Sequence, residues 1–146
     1  MSGNRNPLLI VENDPTDIMI FKRALNDLRY TFPVDFAADG NEALRYLEDP
    51  ERIKPWLIFL DLNTPRMNGL EMLERLRKIQ RTHWIPIVVV STSENPDDIN
   101  CCLDRGACGY LLKEFEYTDF KESVRTAVEY WARCRTPSRC DTLALR

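Results

Sequence analysis

One histidine, His83, stands among the 146 residues. That scarcity removes most zinc sites and any histidine-centred catalytic triad with supporting ligands. Beside Trp84 in a loop-like stretch, His83 reads as a solvated surface residue. The cysteines, Cys101, Cys102, Cys108, Cys134 and Cys140, are five in number and contain no C-x-x-C pair. An odd set without paired spacing argues against a zinc knuckle, a dithiol redox centre or a disulfide framework, and leaves reduced thiols. No apolar run approaches the ~20 residues that a membrane span requires. Met1 to Pro7 has no basic start leading into an apolar segment, so no secretory signal is read there. Charge of one sign is lacking too: 20 Lys+Arg against 23 Asp+Glu leave a net −3, with no nucleic-acid footprint in the totals. The expectation is a cytoplasmic protein with neither nucleic-acid nor membrane partners.

What is present is enough for one domain. At 44% hydrophobic and 29% charged residues the chain has the balance of a folded protein. Short apolar runs alternate with longer stretches of helical spacing, the mark of a parallel sheet with crossover helices. Leu8-Leu9-Ile10-Val11 is a strand-like run, after which Asp14-Pro15 reads as a helix N-cap and first turn. Ile18, Phe21, Leu25 and Leu28 then follow at helical spacing. Val34 to Ala38, Trp56 to Leu60, Ile87 to Val90 and Gly109 to Leu112 are the remaining strands. Helices start at Gly40, after Gly69, at Asn95-Pro96 and at Tyr117, the last ending near Arg133. The pattern predicts an α/β fold, a (βα)5 doubly wound parallel sheet in the flavodoxin-like strand order 2-1-3-4-5. Residues 1–131 form a single domain with its core from about 8 to 131, and 132–146 read as a tail.

Ligands of such sheets sit outside the carboxyl ends of the strands, near the switch point. At that edge the first strand delivers Glu12, Asn13 and Asp14, the third Asp61, the fourth Ser91 and Thr92, and the fifth Lys113. Each alone is an ordinary strand end or helix cap. Together they describe a small acidic pocket with its own counter-ion. Converging carboxylates raise one another's pKa values and attract a hard divalent cation, for which magnesium is suited. A carboxylate can accept a phosphoryl group as an acyl phosphate, helped by metal and ammonium charge.

Four stretches carry a family resemblance: L-L-I-V-E-N-D-P, I-F-L-D-L-N-T-P-R-M-N-G, I-P-I-V-V-V-S-T-S and G-A-C-G-Y-L-L-K. In this order they resemble a response-regulator receiver domain of the chemotaxis type, covering about Leu8 to Trp131. The resemblance implies a two-component signalling protein that is not an enzyme in its own right. Asp61 would be the phospho-acceptor fed by a sensor histidine kinase. Glu12 would belong to the Mg2+-binding acidic pair, and Asn63 would offer its backbone carbonyl. Ser91 would be the switch hydroxyl, Tyr110 the switch aromatic and Lys113 the lysine that pairs with the phosphoryl group. The S-T-S-E-N-P-D-D run, the E-Y-W near the chain's last helix and the charged insert before the third strand are similar to stand-alone regulators paired with phytochrome kinases.

Two positions depart from the family pattern. Where two adjacent acids are usual, this chain has Glu12-Asn13, with Asp14 one step further. Metal affinity should fall unless Asn13, Asp14 or water substitutes, and Asp14 is also the natural N-cap. Lys113-Glu114 replaces a Lys-Pro that commonly carries a cis bond; a non-proline cis bond costs ~3 kcal/mol, so a trans peptide is expected. The signal is expected to leave through the fourth helix, fifth strand and fifth helix, with Tyr117 and Tyr130 turned toward a partner, a second copy among the candidates. Three other readings compete. Asn13 is compatible with a docking module that no longer responds to phosphate. D-L-N-T at Asp61 to Thr64 is close to the D-x-D-x-T of aspartate-nucleophile phosphatases but lacks the second acid. An FMN carrier would need a hydroxyl-rich loop where Glu12-Asn13-Asp14 stands.

Overall fold

Leu8–Val11 (β1) is apolar at every position and buried at every position, which requires cover on both faces of the strand. In the computed structural model, which describes residues 6–62, 69–79, 82–113 and 116–134, that cover is supplied by helices on each side. After β1 come α1 (Pro15–Asp27), β2 (Val34–Ala37), α2 (Gly40–Glu48), β3 (Leu57–Asp61) and α3 (Gly69–Lys78). The chain continues through β4 (Ile87–Ser91), α4 (Pro96–Asp104), β5 (Gly109–Leu112) and α5 (Tyr117–Arg133). All pairings are parallel, in the order β2-β1-β3-β4-β5. The expected topology is therefore the observed one.

Alternate side chains of each strand divide between two cores. Leu9, Val11, Ile58, Leu60 and Val89 meet α2, α3 and Cys102 of α4 on one face. Leu8, Ile10, Leu57, Phe59 and Val90 meet Phe21, Ala24 and Leu25 of α1 and Phe120, Val124 and Val128 of α5 on the other. Burying one such side chain contributes ~1.5–3 kcal/mol, so these two layers carry most of the stabilisation. The periodicity of α5 is thus spent on the core, and Trp131 joins it only partly buried.

Caps fix where the helices begin. Asp14 Oδ1 accepts from the Thr16 amide at 3.0 Å, with Pro15 opening α1. Asp39 Oδ1 accepts from the Glu42 amide at 2.8 Å, and Glu42 Oε2 accepts in turn from the Ala38 amide at 3.1 Å. Asn95 Oδ1 accepts from the Asp97 amide at 2.9 Å ahead of α4.

Strand ends differ slightly from the pattern reading. Trp56 precedes β3 and turns its ring onto Phe32, while Asp61 and Ser91 continue the ladder, opposite Val90 and Leu112. Asp61 and Ser91 are consequently held by sheet backbone and not by loops. The first position of α3 demands a glycine: a Cβ on Gly69 would lie 2.6 Å from Leu62 Cδ2 and 2.9 Å from Leu62 Cα. Arg77 of α3, unremarked in the sequence, donates to the carbonyls of Gly106 (3.1 Å), His83 (2.6 Å) and Ile85 (2.9 Å) and so ties α3 to the turns flanking β4 and β5. His83 itself is exposed, as expected. Among the described residues no helix is long and apolar enough to cross a membrane.

Candidate functional site

The parallel sheet aligns the carboxyl ends of β1, β3, β4 and β5 on one rim. Glu12 follows β1 directly, its amide donating to the Ala37 carbonyl at 2.9 Å, and is only 1% exposed. Asp61 closes β3 and is 5% exposed. Lys113 follows β5, anchored by its amide to the Ser91 carbonyl at 2.8 Å. Its Nζ lies 3.0 Å from Asp61 Oδ2 and 3.3 Å from Glu12 Oε1. The expected convergence of Glu12, Asp61 and Lys113 is present.

A third carboxylate joins them that the sequence reading missed. Asp17, in the first turn of α1, places Oδ2 2.8 Å from Lys113 Nζ, the shortest of the three contacts. Single oxygens of Glu12, Asp17 and Asp61 lie within 4.8 Å of one another. Its signal was its place on α1, facing Lys113 across 96 residues of chain, and periodicity offered no hint of that approach. Asp14, by contrast, stays outside the cluster. Its carboxylate is committed to the helix cap, and its amide donates to Glu12 Oε2 at 3.3 Å. Asn13 is exposed. Asn63 and the Lys113-Glu114 peptide lie outside the described residues, as do residues 135–146 of the expected tail.

The electrostatics follow from burial. Glu12 rises from an ordinary 4.5 to about 8, first because it is desolvated, then because Asp61 hydrogen-bonds to it and repels its charge. Lys113 and the Asp14 amide only partly counteract this. Burial works against the Lys113 ammonium too, but the carboxylates of Asp17, Asp61 and Glu12 outweigh it and push its pKa upward. Crowded acids of this kind favour either a shared proton or a hard cation.

Ser91 is buried, and its Oγ accepts from the Ser93 amide at 3.1 Å. The Tyr110 hydroxyl donates to the Ser93 carbonyl at 2.8 Å. The hydroxyl at the end of β4 and the aromatic of β5 therefore meet at one loop residue. Tyr117 is half-buried and tied to α1, its hydroxyl donating to Asp27 at 2.6 Å and its ring covered by Arg23 at 3.8 Å. Tyr130 is 60% exposed.

Comparison with known proteins agrees with this geometry. The family model described as "Response regulator receiver domain" matches residues 8–125. The "Probable methanogenesis regulatory protein FilR2" of Methanothrix harundinacea is 33% identical over 127 residues, covering 85% of this chain and 82% of that protein. The crystal structure of the phosphorylated cyanobacterial phytochrome response regulator RcpA is similar at 31% identity and a TM-score of 0.83, covering 91% of this chain and 99% of that one. The Mn2+-bound form of response regulator Rcp1 gives 27% identity and a TM-score of 0.79, over 90% of this chain and 97% of that one; Rcp1 is a Synechocystis protein. Of some longer curated relatives the chain spans about half the length, 56% and 52% in two cases. Receiver domains bind Mg2+ or Mn2+ at an acidic pocket and take phosphoryl groups from histidine kinases. With the fold, the rim cluster and the matched span in agreement, the chain belongs to the response regulator receiver domains, the phosphoacceptor signalling modules of two-component systems.

Proposed function

We propose that Asp61 is the residue that accepts the phosphoryl group, from a sensor histidine kinase of the phytochrome type. The observation that carries this reading is the buried Asp61 carboxylate at the end of β3 with Lys113 Nζ 3.0 Å away and Glu12 beside it. An Asp61 oxygen attacks phosphorus in line, an O–P bond forms, and the N–P bond of the donor phosphohistidine breaks, leaving the imidazole. The Lys113 ammonium offsets charge on the transferred group. Ser91 Oγ then exchanges its contact with the Ser93 amide for a hydrogen bond to a phosphoryl oxygen, which frees the loop that holds Tyr110.

The donor set suits a hard dication. Glu12 and Asp61 are hard oxygen ligands, and burial beside Asp61 makes the charged form of Glu12 unfavourable, which a dication would offset. Glu12, Asp61 and the Asn63 carbonyl would hold magnesium, with Asn13 or water completing the set, since the Asp14 carboxylate is occupied by the α1 cap. Bound there, the metal would neutralise charge on the phosphoryl group in transit.

Output through the α4-β5-α5 surface goes with this reading, supported by exposed Tyr130 on α5 and Leu103 on α4. A homodimer through that surface and a cytoplasmic location belong to the same proposal. The phytochrome assignment is supported by the likeness to RcpA.

The test is incubation with acetyl phosphate and magnesium, followed by intact-mass measurement of wild type, Asp61→Asn and Asn13→Asp. Label is expected on the wild type and on Asn13→Asp and absent from Asp61→Asn. Label on neither Asp61-containing protein would overturn the reading. Label on Asn13→Asp alone would replace it with a docking module that does not respond to phosphate.

A further inference from the structure

Lys113 carries four rotatable side-chain bonds, yet its Nζ is gripped by three carboxylates. Two of them, Glu12 and Asp61, belong to the metal and acceptor chemistry proposed above. A dication shared by that pair would neutralise them and repel the lysine, which would then lose its reason to stay. Asp17 differs in origin. It comes from the first turn of α1 and not from a strand end. It also makes the shortest contact with Nζ, at 2.8 Å.

The surroundings make this contact more than a surface ion pair. The Lys113 and Asp17 side chains are only 17% and 27% exposed. With Ile20, Phe21 and Phe120 they line a small cavity of about 40 Å³ between α1 and α5. Phe21 and Phe120 meet edge-on there at 5.1 Å. Aromatic walls lower the local dielectric, so the pair is screened far less than one in open water. The α1–α5 packing that builds the wall also fixes the position of Asp17, so the lysine has an anchor independent of the metal.

We propose that Asp17 is a positioning residue for Lys113, holding the ammonium within reach of the phosphoryl group on Asp61 when a cation draws on Glu12 and Asp61. This inference rests on the acceptor reading of Asp61. It also accounts for how the chain works with Asn13: the carboxylate absent from that position is supplied from α1, to the lysine and not to the metal.

The experiment measures the rate of acyl-phosphate formation from acetyl phosphate in wild type, Asp17→Asn and Asp17→Glu. Magnesium affinity of each is measured by calorimetry, and near-UV circular dichroism checks that each is folded. Asp17→Asn is expected to slow labelling on the order of tenfold, as loss of a supporting carboxylate does. Its magnesium Kd should stay within about twofold of wild type, and Asp17→Glu should recover most of the rate. Unchanged labelling in Asp17→Asn would overturn the inference. So would a magnesium Kd weakened in proportion to the rate, which would make Asp17 a ligand, or a Glu variant no better than Asn. If wild type takes no label, the acceptor reading falls first. A labelled wild type with an equally labelled Asp17→Asn removes the positioning role alone.

Discussion

Glu12 gives the sharpest physical prediction, because its burial makes the metal-free protein sensitive to pH. Its pKa stands at about 8 in the folded chain against an ordinary 4.5. Between those values the native state binds a proton that the unfolded state has released. Stability therefore falls as pH rises through this window and is level again above it. Each pKa unit is worth about 1.4 kcal/mol, so integrating from about pH 6 to about pH 8 gives a loss of about 2 kcal/mol from this one group. With a urea m-value of about 1–3 kcal/mol/M, the denaturation midpoint should drop by about 1 M over that interval. The assay is urea unfolding followed by tryptophan fluorescence, in chelator, at both pH values, for wild type and Glu12→Gln. The glutamine keeps the shape and removes the titration, so its midpoint should move much less. Added magnesium should stabilise the wild type more at the higher pH, because the metal competes with the proton. Equal pH slopes in the two proteins would refute the reasoning, since nothing else in the substitution changes with pH.

Two predictions concern the frame that holds the rim. Arg77→Ala should cost about 2–3 kcal/mol, because the carbonyls of Gly106, His83 and Ile85 lose a charged donor together; a urea midpoint unchanged from wild type would exclude the clamp. Gly69→Ala should cost about 1–3 kcal/mol by overpacking, because the new methyl would lie 2.6 Å from Leu62 Cδ2 and 2.9 Å from Leu62 Cα, and the backbone atom cannot swing away as the side-chain tip can. Thermal unfolding at the wild-type temperature would show that the entry to α3 can shift freely.

Much of this architecture is legible in the amino-acid sequence. The strands are short apolar runs, and four of the five stop at a residue that cannot be buried without a partner: Glu12, Asp61, Ser91 or Lys113. Because every strand points the same way, those stops must share one rim, and the acidic pocket follows from order alone. The Asp14 cap was equally local, needing only an amide two residues on.

Contacts made across the fold were not legible in this way. A helical repeat tells which face of α1 is apolar, but not how far α1 slides along the sheet, and that distance decides whether Asp17 reaches Lys113. The spacing of α5 sets Tyr117 off the apolar stripe, but only the packing of α1 brings Asp27 and Arg23 to it. Arg77 too takes its role from the turns at Ile85 and Gly106, which meet it only in the folded chain. The raised pKa of Glu12 is likewise tertiary, since removal from water and the nearness of Asp61 exist only in the folded chain. By itself, then, the sequence determined the element order, the parallel sheet and the rim on which its polar ends meet, because these depend on local pattern and chain direction. Only the tertiary structure decided which carboxylates share the lysine and how readily they ionise, because those depend on distance and burial.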